Sequence, residues 1–549
     1  MWRTSILAAL TFVIAFAGSV APIGVAHADE TSASDKLRIL YSTRFTFTDE
    51  GLPLITVEIM GKRKDVKLRA RGGVVVRPDG QGGSTVEAEG ADAWTITAEN
   101  TRPAVIQDWT VVDTLDPDDN TGVVAALARW KERGFDPRSF EIGTMFGVNG
   151  AVIDTREVRI AIDPVAQGKG AARAAEHGKK FSVATSVHQE LVRRPAGTIV
   201  ARAGSTVIRN PSVLWFAPRK ATETVTVEGV PTNTGGSQLE TGREDRRYWG
   251  TVYVTIDQDG SLLVANAVPE DKLLAGLVPA EMYPDAPPAA LEAQAIAART
   301  ELLQKIGRRN LTDPFLLCST QQCQVYAGAG KEDPRTTRAV DRTRGVVLLR
   351  EGGGLVDIRY AASCGGHSED NDAIWGGAPD PSLRGRSDDP RGGVTRVTAA
   401  TLDAFLDGGK DSWCAKGKLG KRHFRWTQRL RIDDLGARLA MDYPEIGRVQ
   451  ALIPKTRGVS GRIGTLAIKG DKGTVDVVGD LKIRRLLGGL KSTLFEVERQ
   501  GDEFVFRGAG FGHGVGMCQM GAIGMAEAKR THAQILAHYY RGTRLHKLY

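Results

Sequence analysis

Apolar and polar residues alternate in short runs along the first part of the chain. ITVEIM from Ile55 and VKLRA from Val66 each place every second residue on one face, and Gly/Pro/Asp turns (GLP, RPDGQGG) separate them. Residues 37–104 therefore read as a β-rich module. The period changes over 105–195. VIQDWTVVDT is strand-like, and TGVVAALARWKERGF predicts a helix with a Thr near its start and a Gly near its end. VNGAVIDTREVRIAID predicts a hairpin with an Asn-Gly turn, and AARAAEHGKKF a second helix. Strands return over 196–239 (GTIVARAG, TVTVEGV) as a connector, with PTNTGGSQLETGRE as a polar loop. YWGTVYVTIDQDGSLLVANAV then leads into a last unit spanning 240–549. The pattern shows no internal repeat, and the expected fold class is α+β and multi-domain.

The texture changes again at Pro269. PEDKLLAGLV opens with Pro, Glu and Asp, residues suited to the first turn of a helix. In the following stretch Leu291, Ala295, Ala298, Leu302 and Ile306 recur at helical spacing, and the alanines allow close packing. Strands and turns are expected from there to a glycine-rich loop, then a final helix, AQILAHYYRG, ending at Gly542. At the other end, one Arg, the apolar run ILAALTFVIAFAGSV and the site Ala26-His27-Ala28 read as a secretory signal peptide over residues 1–28, with an uncleaved anchor as the alternative. No later stretch is long and apolar enough to span a bilayer.

Charge adds little. The 549-residue chain carries a formal +8, which suits acidic partners without naming one. The basic residues are scattered, and the densest run, GKRKDVKLRARGG from Gly61, alternates like a strand with a solvated face. Nucleic acid is therefore not an expected partner. Export argues against cytoplasmic cofactors such as NAD and places the cysteines in an oxidising compartment.

Two stretches carry candidate chemistry. Glu281 sits between Pro279 and Pro284, beside Met282 and Tyr283. Apolar company disfavours a charged carboxylate, and a carboxyl that keeps its proton can protonate the leaving oxygen of a glycosidic bond. Glu292 and Glu301 follow on the next helix, so spacing alone does not single out Glu281. GAGFGHGVGMCQMGAIG, from Gly508, lacks the Lys and Ser/Thr of a phosphate loop and the βαβ setting of a dinucleotide site. Its glycines permit close backbone approach, and His513 and Gln519 are polar groups set among them.

Several blocks in order resemble the SpoIID/LytB family: NAVPEDKLLAGLVPAEMYPDAPPAALEAQAIAART, CQVYAG from Cys323, CGGHSE from Cys364, SGRIGTLAIKG from Ser460, LLGGLKSTLFEV from Leu486 and the glycine loop. The resemblance covers roughly residues 240–549. The Glu-Met-Pro motif of the family reads Glu-Met-Tyr-Pro here, and Cys518 stands where relatives often have Ser. The family's sporulation members are lytic transglycosylases acting on peptide-stripped peptidoglycan glycan, and others modify an amidase. The resemblance implies a glycan groove, Glu281 as general acid and then base, and His513, Gln519, Arg299 and Tyr283 at the substrate. Three of these have other readings: His513 bracing the loop, Arg299 as a surface cation or a brace paired with an acid, Tyr283 closing the groove of a structural envelope protein. Ser460, Arg462 and Ser492 read as structural. Residues 105–195 more faintly resemble SPOR-type glycan-binding domains, with a plain packing module as the alternative.

The five cysteines leave two readings open. The pairs Cys318-x₄-Cys323 and Cys364-x₂-His367 offer Cys318, Cys323, Cys364 and His367 as a possible zinc ligand set, and the resemblance admits zinc. The compartment favours disulfides, with Cys318–Cys323 and Cys364–Cys414 as candidates and Cys518 left over; no other cofactor is expected. Expected partners are peptidoglycan glycan strands and a cell-wall amidase.

Overall fold

The computed structural model describes residues 40–42, 46–48, 50–78, 85–87, 93–148, 150–232, 242–319, 326–417 and 420–549. The leader at 1–28, the centre of the polar loop at 233–241, Asn149 and Cys323 lie outside them. The fold is α+β, with largely antiparallel sheets and separate helical layers.

Two sheets pack face to face at the N-terminal end. One has seven strands, drawn from residues 46–87, 213–218 and 251–269; the other has six, drawn from 65–102, 196–211 and 225–248. The β-rich segments on either side of 105–195 thus pair with one another. Ile55, Val57, Leu68, Trp94, Ile96 and Ile199 fill the space between the sheets. The strands Thr251–Ile256 and Leu262–Pro269 are buried almost throughout, because Leu40 and Phe315 pack on the second face of their sheet, against Val213, Trp215, Tyr253 and Leu263. A strand enclosed on both faces needs no polar alternation, hence the run LLVANAV, whose one polar residue, Asn266, is buried and donates to the Trp249 and Thr251 carbonyls.

Residues 105–193 form a βαββαβ unit, interrupted by a small hairpin of Met145–Val148 and Ala151–Asp154. Its four antiparallel strands stand in the order 186–193, 105–115, 157–166, 138–142, the ferredoxin-like arrangement. The helix Asn120–Glu132 is capped by Asp119, whose side chain accepts the Gly122 N–H at 2.8 Å, and Thr121 lies within its first turn. Trp130 packs edge-on to Phe135 and Phe181 and roofs the helical layer.

The C-terminal half holds more helix than its pattern predicts, because Pro334–Arg342 and Ile432–Asp442 are polar enough to read as turns. The helix Pro288–Lys305 runs through the middle of the molecule. It is buried on nearly every side, not on one face, because six of its eighteen residues are alanines that neighbouring elements approach closely. Residues 425–509 build their own core from two three-stranded sheets and two helices. The helix His532–Tyr539 is followed by a strand, Thr543–Lys547, that pairs with Val346–Arg350. No helix among the described residues is long and apolar enough to cross a membrane.

Glu58, Asp257 and Asp313 meet at the edge of the seven-stranded sheet. Burial, reinforced by the Asp313 and Asp257 carboxylates, pushes Glu58 up to about 7, and burial with Asp257 pushes Asp313 up to about 6. A carboxyl raised in the folded state binds its proton more tightly than in the unfolded chain. The stability it contributes is therefore lost as pH rises from the unfolded value through about 7. Glu58→Gln is expected to stabilise the chain relative to wild type more at about pH 8 than at about pH 5. Urea midpoints at the two pH values check this, and an equal difference at both would contradict it.

Candidate active site around Glu281 and the glycine loop

Glu281 is the last residue of the helix Glu270–Glu281. Met282 leaves the helix in an extended conformation, and Pro284 disfavours a helical conformation at Tyr283 next to it, so the helix does not resume there. Glu281 is half-buried, Met282 is buried, and Tyr283 is 42% exposed. The inserted tyrosine thus lies at the surface beside the acid and does not fill the core.

The glycine loop lies against this helix end. Gly510, Gly512, Gly514 and Gly516 alternate with Phe511, His513 and Val515, and the glycines pack onto residues 359–364 and Arg462. Gly516 shows the constraint: its φ is +71°, and a Cβ there would stand 2.0 Å from the Arg359 carbonyl oxygen. A side chain at Gly514 (φ +78°) would collide with the Arg462 guanidinium. Met517–Cys518 then pairs in parallel with Tyr360–Ala361, and the chain enters the helix Gln519–Glu527.

Gln519 joins the two halves of the site. Its Nε2 donates to the Glu281 backbone carbonyl at 2.7 Å and to Gln294 Oε1 at 3.2 Å. The side chain is buried, and its amide group holds the helix end that carries the acid. The Tyr360 phenol lies on the same side. Burial holds its pKa well above the ordinary range, and the Glu301 and Glu281 carboxylates add to that.

His513 is half-buried, and removal from water pushes its pKa down to about 4. The neutral ring accepts the Val515 N–H on Nδ1 at 3.0 Å, which places the ring proton on Nε2 as a donor. Its ring stands 4.9 Å from that of Trp375, and the Arg359 guanidinium lies over the other ring at 5.4 Å. Trp375 is 53% and Phe511 37% exposed. Sequence reasoning missed both, since an aromatic platform is defined by exposure and not by spacing.

Arg299 is placed differently from the expectation that it meets substrate. It and Glu270 are fully enclosed, with Arg299 Nε 2.6 Å from Glu270 Oε1. Nη1 donates to the Thr343 and Val346 carbonyls, and the Tyr549 hydroxyl donates to Glu270 Oε2. Arg299 is a brace between helices. Glu292 pairs with His532 and Arg342, and Glu301 with Lys305. Ser460 and Arg462 are also internal. Both Ser460 Oγ and its N–H donate to Glu369, and Arg462 reaches Ser460 Oγ and the carbonyls of His367 and Cys364. Ser492 donates to the Ala509 carbonyl.

The cysteine readings need correction. Cys318 is disulfide-bonded, and Cys323, its expected partner, lies outside the described residues. Cys364 and Cys414 are free thiols, not a disulfide, because their sulfurs lie 3.7 Å apart in a cluster that also holds Cys518. The zinc set does not assemble. Cys318 is committed to its disulfide, and the His367 ring nitrogens face the carbonyls of Ser368 and Thr395 at 2.7 and 3.2 Å.

A cleft of about 1130 Å³ opens elsewhere, between the six-stranded sheet and residues 329–338, lined by Arg69, Arg71, Arg247, Trp249, Glu332 and Arg338. It does not include Glu281.

Comparison with known proteins gives matches over both halves of this region. Residues 258–349 match a family profile described as Stage II sporulation protein, SpoIID. Residues 369–516 match a domain of unknown function, DUF8618. An uncharacterized protein of Brachyspira hyodysenteriae is 29% identical over 295 residues, 54% of this chain and 71% of that protein. The amidase enhancer of Bacillus subtilis is 29% identical over 301 residues, 50% of this chain but only 40% of the enhancer. Stage II sporulation protein D of Bacillus amyloliquefaciens is 28% identical over 289 residues, 50% of this chain and 73% of that protein. The profile match contains Glu281 and the buried helix behind it, and with these relatives it shows the chain's similarity to the SpoIID/LytB family.

Proposed function

We infer that the protein is exported and cleaves peptidoglycan glycan strands as a lytic transglycosylase, with Glu281 as its single acid and base. The observation that carries this reading is the half-buried Glu281 held at a helix end by Gln519 of the glycine loop, beside exposed Tyr283. In the proposed reaction Glu281 gives its proton to the glycosidic oxygen as the bond to the anomeric carbon breaks. The carboxylate then takes the proton of the sugar's C6 hydroxyl, whose oxygen bonds to that carbon. The product is an anhydro-muramyl end, no water is consumed, and the proton returns to Glu281. One carboxylate suffices, whereas glycoside hydrolysis ordinarily uses two. The neighbouring acids Glu292 and Glu301 are engaged by cations. Trp375 and Phe511 offer ring faces for sugars, and the His513 Nε2–H a donor for hydroxyl or acetamido groups.

Gln519 is a positioning residue in this scheme. Gln519→Ala would leave the Glu281 carbonyl and Gln294 Oε1 without their donor, at a cost of about 1–3 kcal/mol. The expected result is a lower kcat with little change in KM, measured on peptide-stripped glycan. An unchanged kcat in a folded variant would contradict the role.

A second reading follows from the amidase-enhancer relative. Here the chain binds glycan and stimulates a cell-wall amidase without cutting the strand. Purified chain mixed with such an amidase separates the two. Equal stimulation by wild type and Glu281→Gln, with no strand cleavage by either, supports the second. Cleavage that needs Glu281 supports the first.

A further inference from the structure

Three thiols and a carboxylate meet in the core beneath the glycine loop. Cys364 lies just after the strand Tyr360–Ala361, Cys414 in the short helix Trp413–Lys416, and Cys518 at the N-cap of Gln519–Glu527. Asp388 comes from a loop between them. The four candidate ligand atoms lie within 4.8 Å of one another, and all four residues are buried. Cys364 Sγ and Cys414 Sγ are 3.7 Å apart. A disulfide requires about 2.05 Å. Two thiolates on one tetrahedral zinc, each at about 2.3 Å, stand about 3.8 Å apart. The observed separation is that of two ligands sharing an ion.

The surroundings suit ligation as well. The N–H groups of Cys364 and Gly521 donate to Cys518 Sγ at 3.1 and 3.3 Å. Asp388 Oδ2 accepts the Cys414 N–H at 2.8 Å, and Oδ1 accepts the Tyr539 hydroxyl at 2.8 Å. His538 Nε2 is buried 3.6 Å from Asp388 Oδ1 and makes no hydrogen bond. Such outer contacts orient thiolates and carboxylates around a metal.

We propose that Cys364, Cys414, Cys518 and Asp388 bind one thiophilic divalent cation, zinc by the chemistry of the donor set. The three thiols lose their protons to solvent as the ion enters, and no oxidant is involved. With four protein ligands the site is closed and structural, not catalytic. It ties together four segments that are distant in sequence. It also fixes Cys518, the residue before Gln519, and so the loop that holds Glu281. The odd thiol count then has a reason, since a metal uses all three where a disulfide would strand one. This site shares only Cys364 with the zinc set that the cysteine and histidine spacing offers.

The test uses the mature chain, exposed to zinc, freed of excess ion by gel filtration and analysed by elemental mass spectrometry. The expected result is about one zinc per chain, with three thiols titrated after denaturation in chelator. Cys414→Ser and Cys518→Ser should each bind zinc at least tenfold more weakly. Cobalt substituted into wild type should show thiolate-to-metal charge transfer and tetrahedral d–d absorption, a readout that stands even if the variants fail to fold. Folded wild type that holds no zinc and gives no such cobalt spectrum would overturn the proposal. So would a Cys364–Cys414 disulfide in the intact mass, or zinc retained undiminished by both folded variants.

Discussion

Arg299→Met is expected to destabilise the chain by about 3–5 kcal/mol, the cost of leaving one member of a buried ion pair alone. Both partners are fully enclosed, so Glu270 would keep a carboxylate inside the protein with only the Tyr549 hydroxyl to answer it. The carbonyls of Thr343 and Val346 would lose their donor as well. Water cannot replace these contacts without opening the packing between the two central helices. Changing Glu270 to Gln together with Arg299→Met should cost less than the two single changes summed, because the stranded charge disappears. Urea unfolding of the four proteins measures both statements. A single-variant cost under about 1 kcal/mol, the range of an exposed pair, would contradict the account. The consequence reaches the site, because Glu270 begins the helix that Glu281 ends.

The second large effect is expected at Glu281 itself. Glu281→Gln keeps the size of the side chain and a hydrogen-bonding end, but it cannot give a proton to a leaving oxygen or take one from a hydroxyl. General acid–base groups contribute about 10²–10⁴-fold, and here one group serves both steps. Turnover should fall by at least that much. Glycan affinity and unfolding midpoint should change little, because Gln519 holds the backbone carbonyl at this position and not the carboxylate. A parallel loss of glycan binding would instead make Glu281 part of the binding surface.

Much of this site was legible in the sequence. Helical spacing from Leu291 to Ile306 marks the central helix, and the proline-flanked Glu281 and the glycine loop mark the two stretches that meet. Other features depend on pairings that local pattern does not encode. Strands separated by more than a hundred residues interleave in the two N-terminal sheets, and nothing within a single strand names its neighbour. The sequence leaves Arg299 open between substrate, surface and a brace paired with an acid, and its burial against Glu270 decides for the brace. The cysteines mislead for a related reason. Spacing pairs Cys364 with nearby His367, whereas folding brings it to Cys414 and to Cys518, 154 positions on. Asp388 carries no local signal at all. Trp375 and Phe511 became visible only through their exposure.

The central claim is strand cleavage through Glu281. The most direct measurement incubates mature wild type and Glu281→Gln with intact and peptide-stripped peptidoglycan and weighs the released fragments by mass spectrometry. The account predicts anhydro-muramyl ends from wild type and none from the variant. Fragments with reducing ends, or no fragments from a folded wild type that still binds the glycan, would contradict it.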